Sequence, residues 1–157
     1  MATILNGSMN GLSLQSASGA KPIELSFPLP DAPTTHVNLH LTDNQNSLLV
    51  FLTTSTTESA SGTAPLGSLI YAIPNTSNPR ALPLTTPLVP HASTQDFATR
   101  VATALARKVS KPVYVGSSLS FSNAALGGVV EEEMRGLSRC IDVIVRCVDG
   151  KISHSVV

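Results

Sequence analysis

The stretch from Ser93 to Ser117 constrains the fold most, because it joins one amphipathic helix directly to one apolar strand. Apolar residues recur every four positions beside a stripe of alanines, which gives the helix one narrow apolar face suited to packing on a sheet. Ser93 or Thr94 is predicted to cap the helix, with Asp96 completing a capping box. Pro112 ends the helix, and the β-branched and aromatic residues after it predict a buried strand.

The remaining segments predict further strands and a second helix. Residues 35–42 alternate apolar and polar side chains, and residues 47–54 return as an apolar run after a turn, so the two predict a hairpin. Other segments complete the set: proline-containing edge strands at 22–30 and 81–88, a strand at 66–73 and a helix at 124–138. The fold class predicted is α+β, with a mainly antiparallel sheet of about six strands and two amphipathic helices packed on it.

The chain is predicted to form one folded domain between an N-terminal arm and a C-terminal extension. Residues 1–21 are rich in Ser, Gly and Asn and predict a flexible arm, and residues 22–139 carry the α+β domain. Residues 140–157 have the pattern of a β-hairpin around Asp149-Gly150. This extension is expected either to add a hairpin or to lie outside the packed domain.

The composition excludes several classes of protein. Ten basic residues balance ten acidic ones, which gives no argument for binding nucleic acid or an anionic membrane. No apolar run approaches the roughly 18 residues of a membrane-spanning helix, and the N-terminus lacks the basic region of a secretory signal. Two cysteines are too few for a disulfide framework, so we expect a reduced, intracellular protein.

The histidines and cysteines do not predict a metal site or a reactive thiol. His36 and His40 lie four residues apart on a predicted strand, which separates them by about 13 Å, too far for one ion. They are interpreted as polar residues on the exposed face of that strand. Cys140 and Cys147 lack the spacing of metal ligands, and no neighbour marks either one as an activated thiolate.

Acidic residues and glycines give no catalytic or cofactor motif either. Glu131–Glu133 are consecutive in a predicted helix, so their side chains point about 100° apart and cannot converge on one substrate. Glu131 is instead expected to pair with Arg135 one turn later. With no phosphate-binding loop, nucleophile motif or dinucleotide-binding turn, we predict a protein that is not an enzyme and has no cofactor.

A basic group at the end of the first helix is the best functional candidate from the residues alone. It consists of Arg100, Arg107, Lys108 and Lys111. One interpretation is a solvated helix end whose charge matches the helix dipole. The other is a partner-binding site that orients an acidic partner. The residues leave both open.

Three segments resemble the proteasome assembly chaperone 4 family in order and spacing. They are the helix end and strand LARKVSKPVYV, a following acidic helix with EEEM, and an upstream strand pair, HVNLHLTDNQNSLLVFL. The likeness spans roughly residues 37–137.

This resemblance implies a non-catalytic assembly chaperone with the same α+β fold. It implies a heterodimer with proteasome assembly chaperone 3 that binds proteasome alpha-type subunits and promotes formation of the alpha ring of the core particle. It also implies that the protein acts in the cytoplasm, with the nucleus as a second compartment. A small adaptor or scaffold domain of the longin or roadblock type is the alternative, since such domains also combine a compact sheet with helices.

Overall fold

Eight helices and strands follow one another along the chain in a computed structural model that describes residues 21–56, 63–119, 121 and 130–150. In order they are β1 (Ile23–Pro28), β2 (Thr35–Asp43), β3 (Leu48–Thr56), β4 (Ser68–Ile73), β5 (Leu84–Val89), α1 (Gln95–Val109), β6 (Val113–Ser117) and α2 (Val130–Val148). The predicted helix–strand unit and the predicted hairpin are confirmed as α1–β6 and β2–β3.

The six strands form one sheet in the order β1-β2-β3-β6-β4-β5. Every neighbouring pair is antiparallel except β3 and β6, which run parallel. The last strand along the chain therefore lies near the middle of the sheet. The two edge strands, β1 and β5, contain Pro28 and Pro87, in agreement with their prediction as edges. The α+β fold class with a mainly antiparallel sheet is confirmed.

One hydrophobic core lies between the sheet and the two helices. Along β2, alternate residues are buried and half-buried, and the buried set faces the helices. Helix α1 contributes Phe97, Val101 and Leu105, which recur at four-residue steps as its periodicity predicts. Within the part of the chain that is described, neither helix is long and apolar enough to cross a membrane.

The predicted capping box at the start of α1 is wrong. Thr94 is the N-cap residue, but its side chain makes no capping hydrogen bond. Its Oγ1 instead accepts a hydrogen bond from the backbone N–H of Ser68 (3.1 Å) and lies 2.8 Å from the Ser68 hydroxyl oxygen. Asp96 forms an ion pair with Arg100 one turn later, at 2.8 Å. The buried hydroxyl pair therefore ties the helix start to β4.

The predicted β-hairpin at 140–157 is also wrong where the chain is described. Residues 140–148 continue α2, and Cys140, Ile144 and Cys147 are buried at the three- and four-residue spacing of one helix face. Burial of that face outweighs the strand propensity of the β-branched residues between them. The packed core thus extends beyond the predicted boundary at residue 139. The predicted arm up to residue 20, residues 124–129 of the second helix, and residues 151–157 lie outside the described residues.

Truncation of Ile144 tests whether this segment belongs to the folded domain. Ile144 is fully buried, so Ile144→Ala should lower the free energy of unfolding by about 2–5 kcal/mol. Asp142→Ala, an exposed position on the same helix, should change it by less than about 0.5 kcal/mol. Urea unfolding followed by circular dichroism measures both. Equal values for the two variants would show that 140–148 does not contribute to the core.

Candidate partner-binding surfaces

The four residues of the predicted basic group have different environments. Arg100 is committed to carboxylates within the domain: its guanidinium lies 2.8 Å from Asp96 and 3.7 Å from Glu133 of α2. The second contact joins the two helices. Arg100 therefore contributes to the packing of α1 against α2, and its charge is largely compensated.

Lys111 is also paired within the fold. Its Nζ donates to both carboxylate oxygens of Asp43, at 2.7 and 2.9 Å, and its side chain is only 22% exposed. The preceding residue, Ser110, ends α1 in the left-handed conformation with φ 54°. This ion pair fastens the α1–β6 connection to the end of β2.

Arg107 and Lys108 are the members of the group that remain available. Both are exposed in the last turn of α1, and neither has a hydrogen-bond or ion-pair partner among the described residues. We call these two residues the basic pair. Their charge complements the helix dipole, and they can orient an acidic partner without first breaking an internal contact.

This division of the basic group predicts different mutational effects. Lys111→Ala should lower the free energy of unfolding by about 1 kcal/mol, because it leaves a partly buried carboxylate without its cation. Arg107→Ala should change it by less than about 0.5 kcal/mol. Thermal and urea unfolding of both variants measure the difference. Equal losses would contradict the assignment of Lys111 to the fold and of Arg107 to the surface.

The acidic residues of α2 are used in local and interhelical contacts. Glu131 lies 3.8 Å from Arg135, which confirms the predicted pairing, and Arg135 also reaches Asp31 at 2.9 Å.

His40 of β2 pairs with Glu24 on the neighbouring strand β1 at 3.2 Å. Within the described ranges, no group of three or more His, Cys, Asp or Glu side chains is arranged to hold a metal ion.

Both cysteines are buried thiols on α2. Desolvation raises the pKa of Cys140 to about 12, although the nearby charge of Arg139 acts in the opposite direction. Burial also raises the pKa of Cys147. Since the thiolate is the reactive form, these shifts disfavour nucleophilic chemistry at either residue near neutral pH.

The face of the sheet opposite the helices forms a second candidate surface. We call it the uncovered face, because the described helices pack on the other side. Its apolar and aromatic members are half-buried or exposed: Leu49, Phe51, Leu69, Tyr71, Ile73, Leu84, Val89 and Tyr114.

A pair of stacked tyrosines lies at the centre of the uncovered face. The strand register places Leu49, Tyr114 and Tyr71 side by side on β3, β6 and β4. The two tyrosine rings stack with centroids 4.6 Å apart. Desolvation, together with the charge and hydrogen bond of Tyr114, raises the pKa of Tyr71 above its ordinary value of 10.0. A tyrosine is neutral at physiological pH even at its ordinary pKa, so the stacked pair suits an apolar contact.

The next row of cross-strand neighbours on the uncovered face is polar at the β1 edge and apolar toward the middle of the sheet. Glu24, His40 and Phe51 are neighbours on β1, β2 and β3, and the His40 and Phe51 rings lie 6.2 Å apart. Phe51 covers Gly116 of β6, where a Cβ atom would come within 2.5 Å of its ring. The close packing of the Phe51 ring against β6 therefore requires glycine at position 116. The uncovered face has a polar margin at β1–β2 and an apolar centre.

Sequence reasoning did not single out Tyr71, Tyr114 or Phe51. A signal was present: the first five residues of β3 and every residue of β4 after Ser68 are apolar, whereas β2 alternates. Nearly continuous apolar strands are typical of sheets that are covered on both faces. Both described helices pack on one face here, so the other face is a candidate surface for binding a partner.

Comparison with known proteins identifies a family and similar solved structures. The family model of proteasome assembly chaperone 4 matches residues 36–119, just over half of the chain, from β2 to the end of β6. A chain of a structure described as a novel chaperone complex for yeast 20S proteasome assembly has the same fold: TM-score 0.51, 24% identity, covering 78% of this chain and 93% of that one. No curated protein sequence matches significantly.

By class, the chain is an assembly chaperone with an α+β fold. It belongs to the proteasome assembly chaperone 4 family.

Proposed function

We propose that the protein is a non-catalytic chaperone that forms a heterodimer with proteasome assembly chaperone 3 and promotes formation of the alpha ring of the proteasome core particle. Its partners are then the sister chaperone and alpha-type subunits, and it acts in the cytoplasm and the nucleus. The observation that carries the proposal is the uncovered face, an apolar sheet surface with a stacked tyrosine pair at its centre.

The composition of the uncovered face fits a stable protein interface. Aromatic residues are enriched at the centres of such interfaces, and charged residues are depleted there. Tyr71, Tyr114 and Phe51 occupy the centre, whereas Glu24 and His40 lie at the margin. Contiguous apolar patches of this kind are rare on monomers unless they bind a partner. We therefore assign the sister chaperone to this face.

Family membership and the similar fold support the proposed assembly role. The similar solved chain belongs to a structure described as a chaperone complex, so in that case this fold acts together with other chains. We assign the basic pair to a different partner, the alpha-type subunit. Arg107 and Lys108 lie on α1, and α1 packs on the covered side of the sheet.

Co-purification from cell extract, followed by mass spectrometry, tests the proposed function. We expect a similar-sized sister chaperone and alpha-type proteasome subunits to be recovered with the full chain. Small GTPases or trafficking subunits in their place would favour an adaptor of the longin or roadblock type.

A double variant on the uncovered face locates the sister-chaperone contact. Tyr71→Ala with Tyr114→Ala should weaken binding of the sister chaperone by between roughly thirtyfold and a thousandfold. A central aromatic residue contributes about 2 kcal/mol, or roughly thirtyfold, and the contributions of two neighbours need not add. Val130→Ala, which shortens an apolar side chain that is 73% exposed on α2, should leave the affinity unchanged. Titration calorimetry gives the affinities, and urea unfolding of the isolated variants verifies that both fold. Unchanged binding in the tyrosine variant would place the heterodimer contact elsewhere.

A second double variant tests the basic pair. Arg107→Ala with Lys108→Ala should slow association with an alpha-type subunit roughly three- to tenfold, because exposed charges act mainly on the association rate. The double variant should also reduce the dependence of this rate on salt, because salt screens such charges beyond about 8 Å near physiological ionic strength.

The matched control for the basic pair removes two positive charges elsewhere. Arg80→Ala with Arg146→Ala keeps the same net charge as the test variant, and both of these positions are exposed. Stopped-flow measurements over a salt series should show a smaller change in the association rate and in its salt dependence for the control than for the test variant. Identical rates and salt slopes for all three proteins would reduce the basic pair to a solvated helix end.

A further inference from the structure

Three positions in the chain have a hydroxyl residue three places after an arginine. They are Thr103, Ser110 and Ser138, which follow Arg100, Arg107 and Arg135. Protein kinases select serines and threonines by the pattern of charges around them, and arginine at this position is a common requirement. The structure distinguishes the three positions.

Thr103 and Ser138 lie inside helices. The Thr103 hydroxyl donates to the backbone oxygen of Thr99 at 2.8 Å, and Thr103 is half-buried on α1. Ser138 is exposed but has about two turns of α2 on either side of it. A kinase binds its substrate segment in an extended form, so reaction at either residue would require breaking the middle of a helix. In addition, Arg135 is already paired with Asp31.

Ser110 does not lie in the middle of a helix. It is exposed, stands just outside α1 with φ 54°, and its hydroxyl has no hydrogen-bond partner among the described residues. Two free basic residues, Arg107 and Lys108, precede it by three and two places. On the N-terminal side only the last turn of α1 has to open, and terminal turns open at low free energy while buried Leu105 and Ala106 hold the rest of the helix. On the C-terminal side the ion pair of Lys111 with Asp43 has to open as well.

We propose that Ser110 is a phosphorylation site for a protein kinase that selects arginine three residues before its serine, and that the phosphate switches off the basic pair. The Ser110 Oγ attacks the γ-phosphorus of ATP, the bond from that phosphorus to the β,γ-bridging oxygen breaks, and ADP leaves. The hydroxyl proton passes to the catalytic base of the kinase. The second half of the proposal rests on the proposed role of the basic pair in binding an alpha-type subunit.

The expected effect of the phosphate follows from its charge and position. A phosphoserine carries about −1.5 to −2 charges at neutral pH and accepts strong hydrogen bonds from arginine and lysine. At residue 110 it lies within one turn of Arg107 and next to Lys111, which is bound to Asp43. The positive charge that the basic pair offers to an acidic partner is then compensated within the chain.

The site is tested by labelling the folded full-length chain. The kinase used is the catalytic subunit of the cyclic-AMP-dependent protein kinase with ATP, and the phosphorylated residue is found by mass spectrometry. We expect one phosphate, at Ser110, that is lost in Ser110→Ala and retained in the matched variant Ser138→Ala. Reduced labelling in Arg107→Ala with Lys108→Ala supports recognition of the basic pair. No label in the folded chain, label only after heat denaturation, or label that persists in Ser110→Ala overturns the assignment.

The effect on binding is tested with the same preparation. Phosphorylated chain should associate with an alpha-type subunit as slowly as unmodified Arg107→Ala with Lys108→Ala does, and should bind the sister chaperone as tightly as unmodified chain. An unchanged association rate after stoichiometric phosphorylation overturns the switch. If the double variant itself associates normally, the proposed function of the basic pair fails and the switch fails with it. The labelling result is independent of that outcome and decides the modification site separately.

Discussion

The rest of the fold depends on the insertion of β6 between β3 and β4. Hydrogen bonds hold β6 to β3 at both ends: the Leu48 N–H donates to the Pro112 oxygen at 2.9 Å, and the Ser118 N–H donates to the Leu52 oxygen at 3.0 Å. The ion pair of Lys111 with Asp43 fixes the chain just before β6 begins. Because β6 joins the two halves of the sheet, loss of this pairing would separate β1–β3 from β4–β5. The same pairing holds the end of α1 over the core.

This arrangement explains why one face of the sheet remains without a helix. The connection from β3 to β6 contains β4, β5 and α1, and α1 contacts β4, β5 and β6 on one side. Helix α2 then packs beside α1, where its buried face joins the same core. Among the described residues, helices therefore cover only one face of the six-stranded sheet. In the proposed heterodimer the sister chaperone buries the aromatic side chains on the opposite face, and the prolines in β1 and β5 disfavour edge-to-edge pairing as the route.

Features set by local periodicity were predictable from the sequence, and features set by distant contacts were not. Helix α1 and the β2–β3 hairpin follow from apolar spacing within each segment. The central place of β6 depends on partners more than 40 residues away, and no local pattern encodes it. Within residues 140–150 the local signals, Asp149-Gly150 and the β-branched residues, favour a hairpin, whereas burial of Ile144, which favours the helix, is not a local signal. Likewise, charge clustering found Arg107 and Lys108, but only the fold shows that Lys111 is already paired.

The two candidate surfaces are separated by the thickness of the sheet, which allows two partners to be bound together. A chain docked on the uncovered face contacts Tyr114, whose neighbours Val113 and Val115 point to the opposite side and are fully buried in the core with α1. The basic pair lies in the last turn of α1, within three residues of the connection to β6. Occupation of one surface therefore does not block the other. Thermodynamic coupling between them requires that β6 or its connection change conformation, since affinities at two sites influence each other only through a shared change of state. With β6 fixed at both ends and Lys111 clamped to Asp43, such a change is costly, and the two partners are expected to bind nearly independently.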